Sequence, residues 1–158
     1  MFVFFSLSFI FSSLPYLRIQ NRRGLKNVSL SIITIGLPFI QKLCLQFIDI
    51  KGNKIIPYYI YELLTPIALA HWVMGDGESR DYGLRLYTDS FSIKEVVTLM
   101  NVLIIRYNIN SKIHIKRTPT GVKHRIAINS KELIKLSKII APFMIHQMMY
   151  KIKIVNLL

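Results

Sequence analysis

The sequence is 158 residues long, room for one domain or for one domain with part of another. Its 21 Lys and Arg against 8 acidic residues give a net charge of +13, which points to a polyanionic partner, with nucleic acid ahead of a membrane surface or ribosomal packing. Cys44 is the single cysteine, so an internal disulfide and a cysteine zinc site are excluded, and no window holds the ~20 unbroken apolar residues of a membrane span.

Taken in order, Met1 to Leu14 is short and apolar, without the basic start of a secretory signal or the arginines of a mitochondrial presequence, and it reads as the remnant of a core helix. From Tyr16 to Ile35, apolar Leu17, Ile19, Val28, Leu30 and Ile32 alternate with polar residues, predicting two strands around the basic turn Arg22 to Asn27. Pro38 opens a helix with Phe39, Ile40, Leu43, Cys44 and Phe47 on one face, which places Cys44 in the core. Asp49 to Lys54 is a turn-rich boundary.

Thr65 and Pro66 mark the start of a second helix, which runs apolar through Leu69, Ala70, Trp72 and Val73 and stops in Gly75-Asp76-Gly77. That ending sets the Asp76 carboxylate among the unpaired carbonyls of a helix C-terminus, already a negative place. Asp76 with the carbonyl of Gly75 offers hard oxygen ligands of the kind that Mg²⁺ or Ca²⁺ takes. The plain alternative is a buried helix followed by an ordinary glycine turn.

Beyond it, Leu84 and Leu86 alternate with Arg85 and Tyr87 in a strand, while Glu78 to Tyr82 gives only a weak strand signal. Ser92 and Glu95 form a capping box for a helix that Asn108 and Asn110 end. Lys112, His114 and Lys116 then alternate with Ile113 and Ile115, and after a Pro119/Gly121 turn Lys123 and Arg125 alternate with His124, Ile126 and Ile128. Ser130 is expected to cap a last helix that Pro142 interrupts. The predicted order from Thr65 is helix, two strands, helix, two strands, helix. It is an α+β half whose sheet carries one basic face formed by Arg85, Tyr87, Lys112, His114, Lys116, Lys123 and Arg125, suited to duplex DNA. Singly, each of these cations is as well explained by a solvated strand face. The histidines share no ligand spacing, and neither a P-loop nor a Ser-His-Asp arrangement is present.

Leu69-Ala70-His71-Trp72-Val73-Met74-Gly75-Asp76-Gly77 resembles the signature nonapeptide of the LAGLIDADG homing endonucleases, with His71 and Trp72 in place of the family's Gly-Leu. Thr65-Pro66, Thr88-Asp89-Ser90-Phe91 and Gln147-Met148-Met149-Tyr150-Lys151 are similar to the intron-encoded, two-motif mitochondrial branch of that family. The resemblance implies the αββαββα saddle fold, with 58–158 as one complete half and 1–57 as a partial amino-terminal half (1–14 apolar, 15–57 strand pair, helix and linker). It implies metal-assisted hydrolysis of DNA, with Mg²⁺ held by Asp76 and the Gly75 carbonyl, and with Lys151 and Lys54 as the lysines that stabilise charge or orient water. The same fold serves intron RNA maturases, so an RNA maturase or a binding remnant is the alternative. No second nonapeptide occurs upstream of Asp76, so the chain reads as a carboxyl-terminal part supplying one acid of the usual pair. A homodimer through the signature helix is one way to supply the other. Heavy use of Ile, Lys, Asn, Phe and Tyr fits an AT-rich organelle gene, and with the resemblance it implies a mitochondrial origin.

Overall fold

The computed structural model of the protein describes residues 8–22, 24–119 and 121–153, Arg22 by its backbone alone. Residues 1–7 of the apolar start, Arg23 of the expected basic turn and residues 154–158 lie outside the described residues. The chain divides into two compact units, Met1–Leu45 and Gln46–Leu158.

In the first unit, Ser8–Ile10 is a single 3₁₀ turn, and the chain then runs extended, with Phe11 bridged to Thr34 and the Ile35 N–H donating to Ile10 O (2.8 Å). The expected helical remnant is therefore, in its described part, a strand-like pairing. Strands β1 (Tyr16–Arg22) and β2 (Leu25–Ser31) pair antiparallel from Tyr16↔Ser31 to Arg22↔Leu25, as the alternation predicts. Helix α1 (Pro38–Phe47) follows, with no buried residue along it. Cys44, expected in the core, is exposed. A two-stranded sheet and one helix bring too few layers together to enclose a side chain.

The second unit starts before the expected boundary at 57. Phe47 and Ile56 already pack against its core, and the Ile56 N–H donates to Glu95 Oε1 (2.9 Å). Its elements are α2 (Ile60–Leu63), α3 (Pro66–Asp76), β3 (Gly77–Arg80), β4 (Gly83–Leu86), α4 (Ile93–Tyr107), β5 (Lys112–Thr118), β6 (Gly121–Asn129) and α5 (Ser130–Ile140). Two 3₁₀ segments close it, Ala141–Phe143 and His146–Ile152. This is the predicted order from Thr65 onward.

Local chemistry sets these boundaries. Thr65 caps α3 by accepting from the Ala68 N–H (3.3 Å), with Pro66 in the first turn. Ser92 and Glu95 form the reciprocal capping box of α4, and Asn108 ends that helix with φ 52°. The cap of α5 is Asn129, which accepts from the Glu132 N–H (2.9 Å), so the expected cap Ser130 is the first helical residue. Pro142 halts α5 as predicted. The weak Glu78 region is a strand because β4 pairs with it from Gly77↔Leu86 to Arg80↔Gly83, a partner its own pattern does not announce.

The sheet is antiparallel throughout in the order β3-β4-β6-β5. Leu84, Leu86, Ile126 and Ile128 point from it into a core with Leu69 and Val73 of α3, Val96 and Leu103 of α4 and Leu136 of α5, all essentially free of solvent contact. Each such side chain contributes about 1.5–3 kcal/mol of burial. The segment before α3 is pinned from α4, where Arg106 donates to the carbonyls of Tyr61 and Glu62 and the Tyr107 hydroxyl donates to that of Leu64. No helix of the described residues is long and apolar enough to cross a membrane.

Candidate nucleic-acid interface

Helix α3 carries its ending to one end of the sheet. Gly77 leaves the helix directly into β3 with its N–H on the Val73 carbonyl, and a Cβ there would lie 2.3 Å from that oxygen, so only glycine allows the exit. The Asp76 carbonyl accepts from the Tyr87 N–H (3.0 Å), tying the helix end to the chain leaving β4. Gly75 and Asp76 are both exposed to solvent. The 3₁₀ segment His146–Ile152 then delivers Lys151, whose Nζ donates to the Met74 carbonyl (2.6 Å). A cation thus sits on the negative end of α3 beside the Asp76 position, the placement that helix-end electrostatics favours. The same segment is anchored by the Ile145 N–H on Met74 Sδ (3.4 Å) and by Ser137 Oγ donating to Ile152 O (3.3 Å).

Lys54 is exposed, bridged to Ile48 across the Asp49–Asn53 turn, and its side chain makes no hydrogen bond or ion pair among the described residues. The structure therefore joins Asp76, Gly75 and Lys151 at one helix end, and no contact of Lys54 ties it to them. Among the described residues no three His, Cys, Asp or Glu side chains converge to hold a metal. The helix end offers one exposed carboxylate and backbone carbonyls, a partial oxygen set that phosphate oxygens and water could complete.

All seven residues expected on the basic face lie on one side of the sheet, opposite Leu84, Leu86, Ile126 and Ile128. The pairing sets Glu78, Arg85, Ala127 and Lys112 in one row across the strands, with His114 beside Arg125 and Lys116 beside Lys123 in the next rows. Lys112 and Lys116 are exposed, while Arg85, Tyr87, His114 and Lys123 are half-buried. His114 Nδ1 and Arg85 Nε are buried without a hydrogen-bond partner among the described residues.

Arg125 differs from the role expected of it. Its guanidinium is buried, forms a two-pronged ion pair with Asp89 (Nε–Oδ1 2.6 Å, Nη2–Oδ2 2.6 Å) and lies 4.0 Å from the centre of the Tyr87 ring. Nε and Nη2 are committed to Asp89, so Arg125 enters the face as half of an ion pair rather than as a free charge. The bonds from Arg125 hold the Asp89 carboxyl below its ordinary range against the opposing effect of burial, and Asp89 in turn pushes the Arg125 guanidinium further up. Tyr87 continues the ladder by donating its hydroxyl to Glu78 Oε2 (2.7 Å), which also receives Arg80 Nε (2.9 Å). Glu78 is held below its ordinary value, first by the Tyr87 hydroxyl, with Arg80 assisting and burial opposing. Sequence reasoning missed Glu78 and Asp89 as organisers of the face. Asp89 stands in the Thr88–Phe91 motif, but its pairing partner is 36 residues away.

A four-stranded antiparallel sheet with one cationic face, ended by an acid-bearing helix terminus, defines an α+β saddle protein. The chain belongs to the LAGLIDADG DNA endonuclease family, whose model matches residues 1–136. The cytochrome b mRNA maturase bI2 of Debaryomyces hansenii is 37% identical over 103 residues, 65% of this chain and 38% of that protein. The intron-encoded endonuclease ai4 of Dictyostelium discoideum is 36% identical over 95 residues, 60% of this chain and 58% of that protein. The chain thus spans less than two thirds of the length of either relative. Among solved structures, the homing endonuclease I-WcaI bound to its DNA recognition sequence is similar with a TM-score of 0.88 at 26% identity, covering 98% of this chain and 70% of that one.

Proposed function

We propose that the chain is part of an intron-encoded homing endonuclease that binds duplex DNA along the basic sheet face and hydrolyses phosphodiester bonds at the end of α3. The observation that carries this reading is the meeting of Asp76 and Lys151 at one helix terminus, through the 2.6 Å bond from Lys151 to Met74 O, at an end of the cationic sheet. A phosphate lying there would meet an exposed carboxylate on a helix end and an ammonium beside it. Asp76 and the Gly75 carbonyl are the ligands for Mg²⁺, which when bound supplies a more acidic water and charge neutralisation at the phosphate. Lys151 holds negative charge that develops on the phosphoryl oxygens or orients the attacking water. Lys54 belongs to this reading by its place in Lys54-Ile55-Ile56-Pro57. Lys112, Lys116, Lys123, Arg85 and His114 position the duplex, and Arg125 acts through Tyr87 and Asp89. The cytochrome b intron relatives and the composition support a mitochondrial setting.

The sequence contributes one acid-ended helix. Ile67, His71 and Gly75 form an exposed stripe on α3 and support pairing with a second such helix, in a homodimer for this chain taken alone. The test is a supercoiled plasmid carrying the intron-lacking junction, incubated with Mg²⁺ and scored for nicked and linear forms, with a palindromic half-site plasmid beside it. Asp76→Asn should abolish both forms with DNA affinity kept, and Lys151→Ala should slow cutting by about 10²–10³. Unimpaired cutting by Asp76→Asn removes the metal assignment.

A second reading, an intron RNA maturase, is favoured by the identity of 39% over 103 residues to the cytochrome b mRNA maturase bI2 of Saccharomyces cerevisiae. Absence of cleavage on both plasmids, together with binding of the cognate intron RNA, would establish it over the nuclease.

A further inference from the structure

The basic face has one dent. Ala127 is the small residue in the row Glu78, Arg85, Ala127, Lys112, and it lies directly between the two cations of its neighbouring strands. Two strand spacings put the Arg85 and Lys112 backbones roughly 10 Å apart, and no side chain beyond a methyl fills the space between them. A cavity of about 300 Å³ opens there, at the Gly83 end of the sheet and away from the Tyr87 end that bonds to Asp76. Ser111 and Asn110 join its wall.

The donors around this cavity are unspent. Arg85 Nε and Ser111 Oγ are buried without a partner among the described residues, and the Lys112 side chain makes no hydrogen bond or ion pair there. Buried donors left without acceptors are costly, so a ligand that accepts from several of them has a ready gain. Glu78, the acid of the row, is hydrogen-bonded to Tyr87 and Arg80 and meets its cross-strand neighbour Arg85 through charge alone, which leaves the Arg85 Nε–H without an acceptor. A guanidinium, a hydroxyl and an ammonium come from two strands separated by a third, so the acceptor must present oxygens in more than one plane. A tetrahedral phosphate does this, whereas a base edge presents its acceptors in a single plane.

We propose that Arg85, Ser111 and Lys112, arranged around Ala127, form a seat for one backbone phosphate of the bound duplex. The proposal rests on the DNA reading above and adds to it a fixed phosphate register. The seat positions the duplex and carries no base discrimination.

The experiment measures affinity against KCl for the full chain on mixed-sequence duplexes of about 30 base pairs, one AT-rich and one GC-rich, using the slope of log K on log salt as the count of phosphates engaged. Ala127→Leu fills the dent and leaves every charge in place. It should lower the slope by about one on both duplexes, with the thermal midpoint retained, while Ala127→Ser should match the parent. Lys112→Gln removes one arm and should give the same loss, which keeps the test decisive should the leucine disturb folding. Inorganic phosphate at matched ionic strength tests the other source of the same chemistry. A midpoint rise with phosphate that Ala127→Leu abolishes, with unchanged slopes on DNA, assigns the seat to a free anion and overturns the proposal. Unchanged slopes without any phosphate effect overturn it too, as does a loss confined to one of the two duplexes. If the parent itself shows no salt-dependent duplex binding, the DNA reading falls and takes the seat with it.

Discussion

An antiparallel hairpin followed by a helix recurs along the chain, and its two longer examples are β1-β2-α1 and β5-β6-α5, beside the shorter β3-β4-α4. Both hairpins alternate apolar and polar residues, and their fates differ. In the first, Leu17 is 69% exposed and Ile19 is 56% exposed, whereas Ile126 and Ile128 of β6 are 0% and 2% exposed. Alternation marks a face that can be buried, and burial itself depends on what the sheet continues into. β6 has a strand on each side and three helices beneath, while β1 and β2 have each other. The second unit accordingly holds every fully buried side chain of the described residues and the contacts that fix Asp76 and Lys151.

The largest test of this contrast is a matched pair of truncations. Leu103→Ala, at a fully enclosed site, should cost about 2–5 kcal/mol in urea unfolding, and Ile19→Ala on the exposed hairpin about 0.5 kcal/mol or less. Equal losses would mean that the hairpin face is covered in solution.

Glycines give the next contrast. Gly77→Ala places a Cβ 2.3 Å from the Val73 carbonyl and should destabilise by more than about 1 kcal/mol through a forced shift of the α3–β3 exit. Gly36→Ala meets nothing within 4 Å and should be neutral or slightly stabilising. Thermal midpoints of the two variants check this.

The polar ladder predicts a pH effect. Asp89→Asn leaves the buried Arg125 guanidinium with one neutral partner and should cost about 1–3 kcal/mol at neutral pH. Because the folded carboxyl is held below its ordinary value, its contribution is present above the unfolded value, near pH 4, and is lost as pH falls through the folded one. The parent should therefore lose more stability than the Asn variant on acidification below about pH 4. Ser29→Ala in β2 removes an exposed hydroxyl bond to the Arg18 carbonyl (3.3 Å) and should show neither effect.

The smallest expected effect is at a helix cap. Ser92→Ala opens the reciprocal box with Glu95 and should cost about 1 kcal/mol, read as a lowered midpoint at constant unfolding slope. No comparable capping box is found at α1, whose preceding residue Leu37 has no side-chain acceptor.

Much of this was legible from the residues themselves. Thr65-Pro66, the Ser92/Glu95 box and Asn108 are local chemistry within a few positions of the bonds they make, so they marked α3 and α4 without tertiary information. The period-2 alternation likewise assigned Arg85, Lys112, Lys116 and Lys123 to one face, because strand geometry alone decides sidedness. Gly75-Asp76-Gly77 announced a helix ending in an acid. Tertiary structure decided what depends on long-range partners. The weak Glu78 segment became a strand because β4 offered it an edge. Cys44 on an amphipathic helix stayed exposed because no layer covers it. Arg125, indistinguishable in pattern from Lys123, was withdrawn from the free charge of the face by Asp89, 36 residues away, and by the Tyr87 ring. Lys151 reached the end of α3 across 77 positions to Met74. Periodicity and caps are written in neighbours a turn or a strand step apart, whereas ion pairing, burial and the assembly of a site follow distances in space that only the packed chain defines.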